Sequence, residues 1–156
     1  MSRLTAALIV LAVAVVPVSV AVAATLNGGP GPDHLVGSPG ADTINGRGSS
    51  DVLEGGGGPD RINGGRGDDR LVGGAGNDRL VGGPGNDLLA GDAGHDTLVG
   101  GRGGDAQDVI VAGNGNDTIN TLDGSPDRVS CGPGRDTVRA DPGDQLGRDC
   151  ERVRRG

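Results

Sequence analysis

Leu or Ile recurs at every ninth position along the middle of the chain: Leu35, Ile44, Leu53, Ile62, Leu71, Leu80, Leu89 and Leu98. The residues on either side of it vary in polarity. One obligatory apolar residue between variable ones is the alternation of a short strand with one face buried. Each strand is followed by a glycine-rich stretch that must turn. Set in nines from Gly28, the chain reads GGPGPDHLV, GSPGADTIN, GRGSSDVLE, GGGGPDRIN, GGRGDDRLV, GGAGNDRLV, GGPGNDLLA and GDAGHDTLV. A three-residue strand is not stable alone, but stacked copies pair with the copies above and below. The pattern therefore predicts an all-β protein, a parallel β-solenoid with a thin aliphatic core.

The period breaks at both ends. Residues 1–24 carry Arg3, a continuous apolar run and Ala21-Val22-Ala23, a small-x-small motif; they read as a secretory signal peptide cut after Ala23 or Ala24. The rival reading is an uncleaved anchor, since the run is long enough to span a bilayer. A ninth unit opens as GGRGGD at Gly100, and about three extra residues around Ala106-Gln107-Asp108 precede Val109-Ile110-Val111. Then come AGNGNDTIN, a poor LDGSPDRVS and CGPGRDTVR. The repeats are expected to occupy residues 25–139, and residues 140–156 to form a C-terminal cap and tail. In that tail Leu146 and Val153 are candidate core contacts.

Composition sharpens the picture. Glycine supplies 34 of 156 residues, and Phe, Tyr and Trp are absent. A chain so rich in glycine loses much entropy on folding and has no aromatic area to offset it. Something besides an apolar core must hold it. The acidic residues are nearly all Asp, with only Glu54 and Glu151 as exceptions, and every basic residue is Arg. The formal net charge of −7 argues against nucleic acid as a partner and favours cations.

The sixth position of the repeat is Asp throughout: Asp33, Asp42, Asp51, Asp60, Asp69, Asp78, Asp87, Asp96 and Asp105, followed after the slip by Asp117, Asp127 and Asp136. Turn chemistry alone would accept Asn there. Adjacent rungs of a parallel sheet lie about 4.8 Å apart, so stacking places these carboxylates in like-charged columns. Such columns are unfavourable unless protonated or neutralised. A divalent cation removes the conflict. Calcium takes six to eight oxygens from carboxylates and backbone carbonyls, whereas magnesium dehydrates reluctantly. Zinc would want His or Cys, and only His34 and His95 are present, both at variable positions. The Arg residues at position seven, Arg61, Arg70, Arg79 and Arg128, are expected to balance the acidic edges.

GGAGNDRLV and GGPGNDLLA resemble the GGxGxDxUx nonapeptide of RTX, or hemolysin-type, calcium-binding repeats. The resemblance covers roughly Gly28 to Arg139. It implies a right-handed parallel β-roll with two nonapeptides per coil and calcium between turns two repeats apart. Asp60 would then pair with Asp78 on one edge and Asp69 with Asp87 on the other, with glycine-turn carbonyls completing the ligand set. Ser38, Arg47, Asp92 and Ser49 replace glycines of the consensus, and the unit holding Asp127 has lost most of them; sites there are expected to be weak or empty.

Two cysteines, Cys131 and Cys150, read as a disulfide in an exported chain, closing a cap of the kind an exposed solenoid end needs. An EF-hand and a P-loop are excluded, for a twelve-residue loop ending at Glu54 or Glu151 would open on Thr43 or Ala140 rather than Asp, and the chain has no Lys. No catalytic constellation is visible, so the chain is expected not to be an enzyme. The function expected is that of a secreted calcium-binding structural or adhesive protein whose folding is coupled to the ion, with no nucleic acid partner and no membrane span after signal cleavage. The alternative is a surface-recognition module for glycans or ice, using the outward positions seven and nine.

Overall fold

The computed structural model describes residues 22–102 and 106–156. Most of the expected signal segment, and Asp105, lie outside the described residues. Among those described, no helix is long and apolar enough to cross a membrane.

The chain winds as a parallel β-solenoid of about 7 turns. One sheet stacks β1 (Thr25–Asn27), β3 (Thr43–Gly48), β5 (Arg61–Arg66), β7 (Arg79–Val81), β9 (Thr97–Val99), β11 (Thr118–Asn120), β13 (Thr137–Ala140) and β15 (Arg152–Arg155). The other stacks β2 (His34–Val36), β4 (Val52–Gly57), β6 (Arg70–Ala75), β8 (Leu88–Ala93), β10 (Val109–Val111), β12 (Arg128–Ser130) and β14 (Gln145–Leu146). Successive units fall on opposite sheets, so two nonapeptides make one coil. Ile44 aligns with Ile62 and Ile62 with Leu80 on one side, Leu53 with Leu71 and Leu71 with Leu89 on the other.

The invariant aliphatic residue of each unit points between the sheets. Ile44, Leu53, Ile62, Leu71, Leu80, Leu89, Leu98, Ile110, Ile119, Val129 and Val138 form the buried core. With one such side chain per rung from each sheet the core is too narrow for aromatic rings, and the glycine turns close it within a few residues. The extra residues of the ninth unit appear as a longer step: Leu88 aligns with Val109 and Thr97 with Thr118. The tail continues both sheets, and Leu146 packs against the core. Val153 does not. It aligns with Val138 but is 38% exposed, because β15 ends its sheet and nothing stacks beyond it. Cys131 and Cys150 are joined, with Cα atoms 5.1 Å apart.

Candidate metal centre

Each turn delivers its sixth-position Asp to the interior edge just before a strand begins. Because equivalent residues stack, the carboxylates form two rails. In the first, the Asp42 amide donates to Asp60 Oδ1 at 2.7 Å, Asp60 to Asp78 at 2.8 Å, Asp78 to Asp96 at 2.8 Å, Asp96 to Asp117 at 2.8 Å and Asp117 to Asp136 at 2.9 Å. In the second, Asp33 donates to Asp51, Asp51 to Asp69 and Asp69 to Asp87, each at 2.8 Å. Asp60 stacks against Asp78 and Asp69 against Asp87, the neighbours that the expected calcium pairs require.

The second rail continues in a way the glycine phase hides. Asp87 donates to Asp108 Oδ1 at 2.9 Å, Asp108 to Asp127 at 2.8 Å and Asp127 to Asp144 at 3.0 Å. Asp108, counted in the sequence as part of an insertion, thus holds the rung between Asp87 and Asp127, and Asp144 adds a rung inside the tail. A signal for both was present: Asp108 directly precedes Val109-Ile110 and Asp144 directly precedes Gln145-Leu146, as every rail aspartate precedes its strand.

These carboxylates are out of water. Asp42, Asp51, Asp60, Asp69, Asp78, Asp87, Asp96, Asp108, Asp117, Asp127 and Asp136 are all buried. One oxygen of each takes part in the rail. The other, Oδ2, has no hydrogen-bond partner at Asp51, Asp60, Asp69, Asp78, Asp87, Asp96, Asp108, Asp117, Asp127 or Asp136. A buried unpartnered carboxylate oxygen is costly, and here it recurs at ten rungs, from Asp51 to Asp136. Burial pushes the acids up: Asp87 to about 8, Asp96 and Asp127 to about 7, Asp60 and Asp108 to about 6. A single amide donor opposes the shift at each, and carboxylates along the rails reinforce it at Asp60, Asp87, Asp96 and Asp127. Asp69, Asp78 and Asp117 are raised for the same leading reason.

Among the described residues no Arg side chain pairs with them, and of the basic side chains His95 alone, near Asp117, acts against the rise. The one ion pair among the described residues is His34 with Glu54, 3.3 Å apart on the surface. Arg61, Arg70, Arg79 and Arg128 do not balance the acidic edges as expected. They open strands on the outward faces, one residue past the Asp and on the opposite side of the chain. His34 and His95 are exposed, and His95 Nδ1 accepts the Asn116 amide at 2.8 Å.

The first glycine of each turn completes the cradle. A Cβ at Gly55 would collide with Asp60 Oδ2 and lie 2.6 Å from the Gly73 carbonyl; at Gly64 it would collide with Asp69 Oδ2 and lie 2.7 Å from the Gly82 carbonyl. Carboxylate and carbonyl oxygens thus crowd the same space, and no donor fills it. An all-oxygen set of this kind suits calcium. The second and fourth glycines turn the chain through positive φ, for example 102° at Gly74 and 143° at Gly76. Arg47, Ser49 and Asp92, which replace such glycines, follow the same path at 83°, 85° and 70°. The turns keep their course despite the substitutions.

The fold and its rails define a cation-binding β-solenoid. Residues 27–62, 45–80, 72–106 and 102–125 each match the RTX calcium-binding nonapeptide repeat. The chain belongs to that family, and its ion is calcium. No individual curated protein matches it.

Proposed function

We propose that this is a secreted structural protein whose β-roll forms only when calcium joins the rails, with an adhesive or surface-layer role and no catalytic one. The ligands are the rail carboxylates Asp33, Asp42, Asp51, Asp60, Asp69, Asp78, Asp87, Asp96, Asp117, Asp127 and Asp136, to which the geometry adds Asp108; turn carbonyls such as those of Gly73 and Gly82 complete the set. The observation that supports this reading is the unpartnered Oδ2 at rung after rung. The ion supplies positive charge where the chain offers none, and rail repulsion becomes attraction. Asp105 belongs to the expected ligand set and lies outside the described residues. Export is supported by the leader sequence and by the Cys131–Cys150 bond.

The experiment is circular dichroism of the leader-free protein during a calcium titration. Strand signal should be absent in excess EGTA and appear cooperatively with calcium. Full strand signal in chelator would overturn the proposal.

A second reading, surface recognition, has one observation in its favour. The first sheet aligns Thr25, Thr43, Thr97, Thr118 and Thr137 in one outward column, with Asn27, Asn45 and Asn63 beside it. Arg61 and Arg79 interrupt the column. A glycan array and an ice-growth assay of the calcium-loaded form test it; no binding in either would remove this reading.

A further inference from the structure

The turn before Asp127 departs most from the repeat, and it does something no other described turn does. Asp123 stands four residues ahead of its rail aspartate, where Gly65 and Gly83 stand ahead of Asp69 and Asp87. Its Oδ1 accepts the Ser125 amide at 2.7 Å, while its own amide and that of Gly124 donate to Asp141 Oδ2 at 2.8 and 2.7 Å. The turn is therefore held from both sides, and the carboxylate is fixed facing the rail. Carboxylate oxygens of Asp108, Asp123 and Asp127 lie within 4.8 Å of one another. Oδ2 of all three is buried without a partner, in residues that are 1% exposed at Asp108 and Asp127.

We propose that Asp108, Asp123 and Asp127 form a calcium site in which a third carboxylate joins the Asp108–Asp127 rail pair in place of glycine carbonyls, and that it is the tightest site in the molecule. It rests on calcium being the ion of the rails. Affinity for calcium rises with the number of charged ligands and the rigidity of the site, and this turn exceeds its neighbours in both. Where the repeat loses its glycines, a side-chain oxygen takes the place of backbone ones. Asp92 is the contrast: it too stands four residues ahead of a rail aspartate, Asp96, but its side chain is exposed.

Isothermal titration of the leader-free, disulfide-intact protein with calcium tests the site. The wild type should show a tight first equivalent ahead of the rest. Asp123→Asn should lose that equivalent, or weaken it by about tenfold or more, and keep the later ones; Asp92→Asn should keep the tight equivalent. An unchanged tight equivalent in Asp123→Asn, or its equal loss in Asp92→Asn, overturns the proposal. A wild type that takes up no calcium fails the family-level reading instead, so the two failures are distinct. Strand dichroism at saturating calcium reports folding of each variant. Should Asp123→Asn not fold, europium(III) excitation of the wild type decides: the first ion bound must show the lower excitation energy of a more anionic ligand set, and a first ion indistinguishable from later ones overturns the proposal.

Discussion

The repeats from Asp51 to Asp96 and the tail from Asp141 to Cys150 both carry carboxylates, and they treat them in opposite ways. In the repeats Asp60, Asp69, Asp78, Asp87 and Asp96 each keep one buried oxygen without a donor. In the tail the protein supplies the donors itself. Asp144 accepts from the Thr121 hydroxyl at 2.7 Å, from the Asp141 amide at 2.8 Å and from the Asp127 amide at 3.0 Å. Asp149 accepts from the Gly132 amide at 2.7 Å and the Ser130 hydroxyl at 3.0 Å, and the Gly132 amide leads in holding it below the usual carboxylate range. The disulfide joins Cys150 of the tail to Cys131. The tail carboxylates are satisfied by groups the chain carries; those of the repeats keep one oxygen open.

Chelation should separate the two regions most strongly. In EGTA the rail amides of Asp60, Asp69 and Asp78 should lose hydrogen-exchange protection by roughly a thousandfold or more. The amides of Gly132 and Gly147, bonded within the cap, should lose less. Equal loss in both regions would show that the cap depends on calcium as much as the repeats do. Next in size is Gly73→Ala. The added Cβ would collide with Asp78 Oδ2 and come within 2.9 Å of the Gly91 carbonyl. It should cost about 2–4 kcal/mol and one equivalent of calcium. Gly48→Ala meets nothing within 4 Å and should stay within about 0.5 kcal/mol. Thermal unfolding in saturating calcium compares them.

Removing the disulfide acts on the other side of the contrast. Cys131→Ser with Cys150→Ser should cost about 3 kcal/mol by the loop-entropy argument. The calcium stoichiometry of the repeats should be unchanged, as read by titration beside denaturant melts. Acidity then distinguishes the regions by sign. Asp60, Asp69, Asp78, Asp87, Asp96, Asp108, Asp117 and Asp127 have folded values above the ordinary 3.8, with Asp87 reaching about 8. Without calcium, the folded repeats therefore hold more protons than the unfolded chain between about pH 4 and 8. Their stability is fully present below that window and is lost as pH rises through it. With calcium present the dependence reverses, because the ion needs the carboxylates deprotonated. Strand dichroism without calcium should be greater at pH 5 than at pH 8, and the apparent calcium affinity should rise from pH 5 to pH 8. Asp149, whose value is lowered, adds cap stability that is lost only in stronger acid.

The strands and the core were legible because nine residues fix both the turn and the buried side chain; Leu35 to Leu98 mark the rungs from β2 to β9. The rails were legible for the same reason as far as Asp96, and again after the slip at Asp117, Asp127 and Asp136. Just past Asp96, phasing on glycines pointed to Asp105, whereas the strand start identifies Asp108 as the rail residue; Asp144 escaped notice because its turn has no repeat glycines before it. The outer faces obey a different period. Only every second unit shares a sheet, so a list of positions seven and nine in chain order mixes the Thr and Asn column of one sheet with Val36, Val109 and Val111 on the other. The inward aim of Asp123 was not legible at all. It depends on a rung step of 19 residues, one longer than the regular 18, and on Asp141 reaching back to hold the turn.

The smallest expected effect asks how strictly the repeats need their glycines. Arg47 sits at φ 83° and aligns with Gly65, which takes φ 111° one coil further on. A side chain in that region costs about 1–2 kcal/mol, so Arg47→Gly relieves strain. It also adds freedom to the unfolded chain, which costs about 0.5–1 kcal/mol. The two nearly cancel, and the net gain should be under about 1 kcal/mol, seen as a small rise in melting temperature in saturating calcium. The same substitution removes a positive charge beside the first turns, so the calcium midpoint should fall slightly as well. A rise in melting temperature without that fall would mean that the backbone at residue 47 is strained but lies outside the reach of the ion. A loss of stability would mean that Arg47 makes a contribution through its side chain that outweighs the strain, and the repeats would then be less dependent on glycine at this position than the later turns are.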